Sequence, residues 1–256
     1  MKRKLLISIV VILGFLTYKY SKFFYAYVVL GEDTWKTANV SMLMSILLLT
    51  GIVVALLCSW FIKHKPSFYA LGLKRDILQG FMWGLICSLP MFIGYYFTGT
   101  FNTDSDLELI YRDIVLAGFG EEFIFRGFLF GLLFFYAGWG FIPACLISSL
   151  FFGAGHLYQA ENVSSAVMIF LFTALANAGF AYFYYAWNSL WMVIFLHGFM
   201  DLAWDTFSIA ENVTGNTWAN VFRFISLGIA IFISVKTAKK NNRWDLKSKM
   251  WVNKTA

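Results

Sequence analysis

Runs of about twenty apolar residues recur from one end of this chain to the other, and each is long enough to cross a bilayer as a helix. They lie near 5–29, 41–62, 77–98, 108–136, 141–157, 164–186, 189–208 and 217–236. The residues do not alternate with the period of two that a membrane β-barrel needs. In hydrocarbon the backbone must satisfy its own hydrogen bonds, so helices are the remaining solution. With 60% of 256 residues hydrophobic and only 13% charged, the chain has far more apolar side chain than a soluble domain can bury. The expectation is an all-α fold: a polytopic bundle of about eight transmembrane spans forming a single membrane domain over 1–256.

Charge orients the bundle. Basic residues gather at Lys2-Arg3-Lys4, at Lys63, Lys65, Lys74 and Arg75, and from Lys236 to Lys254. Alternate loops carry Glu32-Asp33, Asp104, Asp106, Glu161 and Glu211 instead. Basic loops stay in the cytoplasm, so both termini are expected inside. The formal net charge of +6 therefore belongs to a membrane surface and not to a nucleic-acid partner. The basic tail 239–256 is read either as lying on an anionic leaflet or as solvated.

Several features argue for little. Cys58, Cys87 and Cys145 sit inside apolar runs without Cys-x-x-Cys spacing, so neither a disulfide framework nor a thiolate metal site is expected. The N-terminus lacks a small-x-small cleavage site and reads as an uncleaved first span, with Lys19 and Lys22 snorkelling to the outer interface. Sequons begin at Asn39, Asn162 and Asn212, but three-residue matches are weak. No internal repeat of the kind found in inverted-repeat transporters is visible.

Six ionisable residues stand out within the apolar spans: Glu121, Glu122 and Arg126 in the fourth, His156 in the fifth, and His197 and Asp201 in the seventh. Ionisable groups at that depth are costly and usually mark function. Glu122 and Arg126 are four apart, as are His197 and Asp201, so each pair shares a helix face. Glu121 is turned about 100° away from Glu122 and stays free while its neighbour is neutralised. Taken one at a time, such residues are often interhelical glue or hydrogen-bonded core histidines. A set spread over three helices, with other spans nearly free of charge, fits that bland reading poorly.

Two imidazoles and three carboxylates can hold a water and deprotonate it, and histidines can also stabilise an oxyanion. No serine or cysteine stands in a recognisable nucleophile arrangement with a histidine; Ser148 and Ser149 lie two turns from His156. Water-mediated hydrolysis of a peptide bond is the natural class. As metal ligands the set would be Glu121, His156, His197 and Asp201, which suits zinc and equally suits a site without metal.

The ordered motifs Glu121-Glu122-Phe-Ile-Phe-Arg126, Phe152-Gly-Ala-Gly-His156 and His197-Gly-Phe-Met-Asp201 resemble those of the CPBP (Abi, type II CAAX prenyl endopeptidase) family of intramembrane proteases. Leu71-Gly-Leu-Lys-Arg75 is similar to the family as well, and the resemblance covers about 70–206, the expected catalytic core. It implies that Glu121 activates the attacking water. His156 and His197 would bind that water or stabilise the tetrahedral intermediate, Asp201 would complete the site, and Glu122 with Arg126 would shape the pocket. Family members process prenylated proteins or act in bacteriocin immunity and peptide maturation. The Lys-, Asn- and Phe-rich composition points to a bacterial plasma membrane.

The expected partners are a peptide or lipid-modified protein substrate and membrane lipids, with no nucleic acid. A glutamate mechanism without metal is the working expectation over a metalloprotease-like one. Two alternatives remain: a catalytically silent scaffold or regulator of the same fold, and a proton- or metal-coupled transporter.

Overall fold

The computed structural model describes residues 2–103 and 107–255; Asp104 and Asp106, expected in an outer loop, lie outside them. Every principal element is helical, and no strand forms among the described residues. In chain order α1 covers Lys2–Val29, α2 Glu32–Thr37, α3 Val40–Lys63 and α4 Ile77–Thr98. Helix α5 runs over 107–135, α6 over Phe141–Gly155 with a tight turn at Leu157–Gln159, and α7 over Val163–Trp187. Helix α8 is Trp191–Thr206, and α9 is Thr217–Lys240.

Among the described residues, six helices are long and apolar enough to cross a membrane: α1, α3, α4, α6 with its tight turn, α7 and α9. The other two expected crossings, α5 and α8, exist as helices at the expected places but differ in character. Helix α8 has 16 residues, short of the roughly twenty a bilayer asks for. Helix α5 is interrupted by Arg112, Asp113, Glu121, Glu122 and Arg126. These two helices carry five of the six expected site residues, and the charges that make them functional candidates are what reduce their apolar character.

Helix starts follow local chemistry. Asn39 caps α3 by accepting from Met42 N, Asn162 forms a reciprocal capping box with Ser165 at α7, and Asn216 caps α9. Asn212 accepts from Thr214 N and Oγ1. The sequon asparagines Asn39, Asn162 and Asn212 thus hold backbone at helix starts and in a loop.

Helix α8 lies at the centre, packed between α4 and α5, with α9 on α4, α6 on α7 and α1 on α3. Glycines set the close approaches. A Cβ on Gly84 would press on Phe195, and one on Gly118 would lie 2.8 Å from Gly198 Cα. The backbones of α5 and α8 therefore nearly touch where these glycines meet.

One end of the bundle collects the basic residues. The 64–76 loop reaches the start of α8 through Leu190 N to Gly72 O, Ser189 Oγ to Asp76 and Trp191 Nε1 to Lys74 O. Gly72 has φ 93°, a left-handed conformation that suits glycine. The tail folds onto this end. Its Trp251 and Met250 carbonyls accept from Gly140 and Ile142 N, and Asn253, 3% exposed, bonds Gly138 O and Phe134 O. Residues 250–253 are therefore docked on the 136–142 turn, while the Trp244 and Trp251 side chains of the tail stay exposed. Two carbonyl partners for one asparagine anchor the segment.

The opposite end is formed by 30–39, 99–103, 156–162 and 207–216. It is tied by Thr100 N to Phe207 O, Asn102 N to Thr206 O and Val213 N to Gln159 Oε1.

Candidate active site

The backbone of α5 widens to i→i+5 hydrogen bonding over Tyr111–Phe130, a π-helix that contains the whole Glu121–Arg126 motif. Such turns are rare and recur at functional sites. An α-helix was expected here; no local sequence signal marks the widening. The pairing of Glu122 with Arg126 survives it, with Arg126 Nη1 2.9 Å from Glu122 Oε1.

Glu122 is fully buried and Arg126 is 1% exposed. Their approach is an ion pair and not an aligned hydrogen bond, and Glu122 Oε2 and Arg126 Nε also lack hydrogen-bond partners. Opposite charge is therefore what neutralises each group, together with the rings of Phe152 and Phe180, centred 4.4 and 5.3 Å from the guanidinium carbon. Removing one partner of such a pair strands the other in apolar surroundings, at a cost of about 3–5 kcal/mol.

Glu122 has a second role that spacing did not reveal. His197 Nδ1 lies 2.7 Å from the same Oε1 that Arg126 approaches. A carboxylate only accepts, so Nδ1–H donates and the ring orientation is fixed. His197 Nε2 then faces Asp201 Oδ2 at 3.3 Å and Glu121 Oε2 at 4.0 Å, and Phe180 packs edge-on against the ring. Glu121, a quarter exposed, is the more accessible member of the glutamate pair.

His156 stands at the end of its span. It is the C-cap of α6, its Nδ1 2.9 Å from Phe152 O and its ring against Phe152 at 4.6 Å. A carbonyl only accepts, so Nδ1 carries the hydrogen and Nε2 keeps its lone pair. Phe152 thus touches both His156 and Arg126. Glu121, Arg126, His156, His197 and Asp201 all line one cavity of about 710 Å³.

His197 lies early in its helix. It stands six residues into α8, yet reaches Glu122 directly because the Gly118–Gly198 contact brings α5 and α8 together.

Four further charged residues on the same cavity were missed in the sequence: Arg112, Asp113, Asp205 and Arg223. Arg112 pairs with both Asp113 and Asp205. Asp205 continues the four-residue stripe of His197 and Asp201, and Asp113 and Arg223 fall within the apolar runs 108–136 and 217–236, so a signal was available for each. Ser148 and Ser149 turn away from His156 and bond Asn177 instead.

A metal would need several of these donors to converge. Among the described residues, no three His, Cys, Asp or Glu side chains form a ligand set, and both His197 nitrogens are directed at carboxylates. The residues as arranged do not fit a metal, and no chemical step below uses one.

A family model described as type II CAAX prenyl endopeptidase Rce1-like matches residues 104–203. All six motif residues, Glu121, Glu122, Arg126, His156, His197 and Asp201, fall inside that segment, and the Leu71–Arg75 motif falls outside it. No curated protein and no solved structure matches the chain. Residues 104–203 are thus similar to the Rce1-like type II CAAX prenyl endopeptidases, as the motifs indicated, on a multi-pass helical membrane protein.

Proposed function

We propose that this Rce1-like chain is an intramembrane endopeptidase that hydrolyses a peptide bond with a glutamate-activated water and no metal. The observation that carries the proposal is the division of labour within the glutamate pair. Glu122 is held through one oxygen by both Arg126 and His197, while Glu121 faces the cavity beside His197 Nε2.

Glu121 and the lone pair of His156 Nε2 are both acceptors on the cavity wall. A water donating one hydrogen to each directs its own lone pair at the substrate carbonyl. Glu121 takes a proton as the water oxygen bonds to the carbonyl carbon, then delivers it to the leaving nitrogen as the C–N bond breaks. His197, flanked by Glu122 and Asp201, is stabilised as a cation, and its positive charge beside Glu121 offsets the negative charge that develops on the carbonyl oxygen. Asp201 aligns Nε2, and Arg126 balances Glu122 so that the pocket does not accumulate uncompensated negative charge.

The test is turnover of a peptide library by purified, lipid-reconstituted protein. Wild type cleaves, and Glu121→Gln and His156→Ala do not. Equal turnover by the variants contradicts the proposal.

A further inference from the structure

Among the described residues, the cavity lining reaches one end of the bundle. Its mouth is formed by Val40 and Ser41 at the start of α3, Tyr158 and Gln159 beyond α6, and Glu211 and Asn212 between α8 and α9. It deepens toward Glu121, His197 and Arg126. Among the described residues, none of its lining comes from the 64–76 loop, the 136–140 turn or the tail.

Below Arg126 the bundle is closed by packed rings. Phe130, Phe134, Phe135, Phe141, Tyr184 and Tyr185 form a continuous aromatic cluster. Phe130 and Phe134 are fully buried, and the docked tail covers Phe134 O through Asn253. This sealed end is also the basic one, carrying the N-terminal Lys2-Arg3-Lys4, the 63–75 loop and the tail. Among the described residues, the loops at the open end carry one basic residue, Lys36, and the acidic Asp33, Glu161 and Glu211.

At the mouth a second hollow of about 930 Å³ shares Arg112, Asp205, Glu211 and Asn212 with the cavity. This forecourt is polar. It suits the backbone and side chains of a peptide better than an isoprenoid tail.

The basic end of a helical membrane protein faces the cytoplasm. We infer that the cavity mouth faces the other way, and that the substrate is an extracytoplasmic peptide, a segment exposed after export, in place of a lipid-modified C-terminus in the cytoplasm. The inference about substrate rests on the protease reading above; the orientation of the mouth does not.

Thiol labelling tests the orientation without turnover. The native Cys58, Cys87 and Cys145 are buried and give a low background. Glu211→Cys and Tyr158→Cys place exposed thiols at the mouth, and Lys65→Cys places one at the basic end. With a membrane-impermeant maleimide on intact bacterial cells, both mouth variants label at once and Lys65→Cys labels only after permeabilisation. The reverse pattern, or labelling of all three from outside, overturns the inference. A second arm offers hydrophilic peptides to sealed right-side-out vesicles, either outside or loaded within. Wild type cleaves the external peptides and spares the internal ones; the opposite overturns the inference. Correct labelling without cleavage on either side counts against the protease reading and leaves the orientation standing.

Discussion

His197 Nδ1 and Arg126 Nη1 meet the same oxygen, Glu122 Oε1, at 2.7 and 2.9 Å. One buried carboxylate therefore joins the helix that supplies the glutamates to the helix that supplies His197 and Asp201. The arrangement of the cavity wall depends on this shared oxygen, and so do several measurable properties.

Glu122→Leu leaves the Arg126 charge buried without a counterion, and its stability falls by about 3–5 kcal/mol. The double variant Glu122→Leu/Arg126→Met removes both charges and recovers most of that loss while staying inactive, because His197 loses its anchor. Thermal unfolding in detergent separates the cases. A double variant no more stable than the single one contradicts the pairing.

Asp201 lies 3.3 Å from His197 Nε2, and an asparagine carbonyl at the same place still accepts a hydrogen bond. Asp201→Asn is therefore expected to keep activity within about tenfold of wild type, whereas Asp201→Leu loses about a hundredfold or more. Comparison of kcat for the two variants on one peptide checks this. Equal losses would mean that the negative charge, and not acceptance, is what His197 requires.

A side chain at Gly118 has no room against Gly198. Gly118→Val is expected to push α5 from α8, lengthen the Glu122–His197 contact and abolish cleavage, with a stability cost of about 1–3 kcal/mol or more. Gly179, whose Cβ would meet nothing within 4 Å, provides the control: Gly179→Ala leaves activity unchanged. Parallel loss in both variants would count against helix spacing as the cause.

No convergent ligand set forms around His197 among the described residues, so strong chelators are expected to leave turnover intact. Dialysis against such a chelator, followed by assay and metal analysis, checks this. Activity lost on chelation and restored by a divalent cation would contradict the metal-free mechanism.

The helical class was legible because hydrocarbon imposes it. The apolar runs near 41–62, 77–98 and 217–236 reappear as α3, α4 and α9. Contacts within one helix, such as Glu122 with Arg126, follow from spacing alone. Contacts between helices do not: the bond from His197 to Glu122 depends on two glycines eighty residues apart in sequence, Gly118 and Gly198, meeting face to face. His156 was legible both by type and by place, since the apolar run near 141–157 ends where α6 closes at Gly155. Asp205 was passed over for lying near a span end, although its spacing from Asp201 pointed at the same cavity. The docked tail was hidden because its anchor is one asparagine in a polar, basic stretch.

The central claim is that Glu121 is the base. The most direct measurement is peptide cleavage by reconstituted wild type and Glu121→Gln, with matched unfolding curves showing that both are folded. A loss of at least about a hundredfold in kcat with an unchanged unfolding midpoint is the predicted result. Retained turnover by folded Glu121→Gln would contradict it.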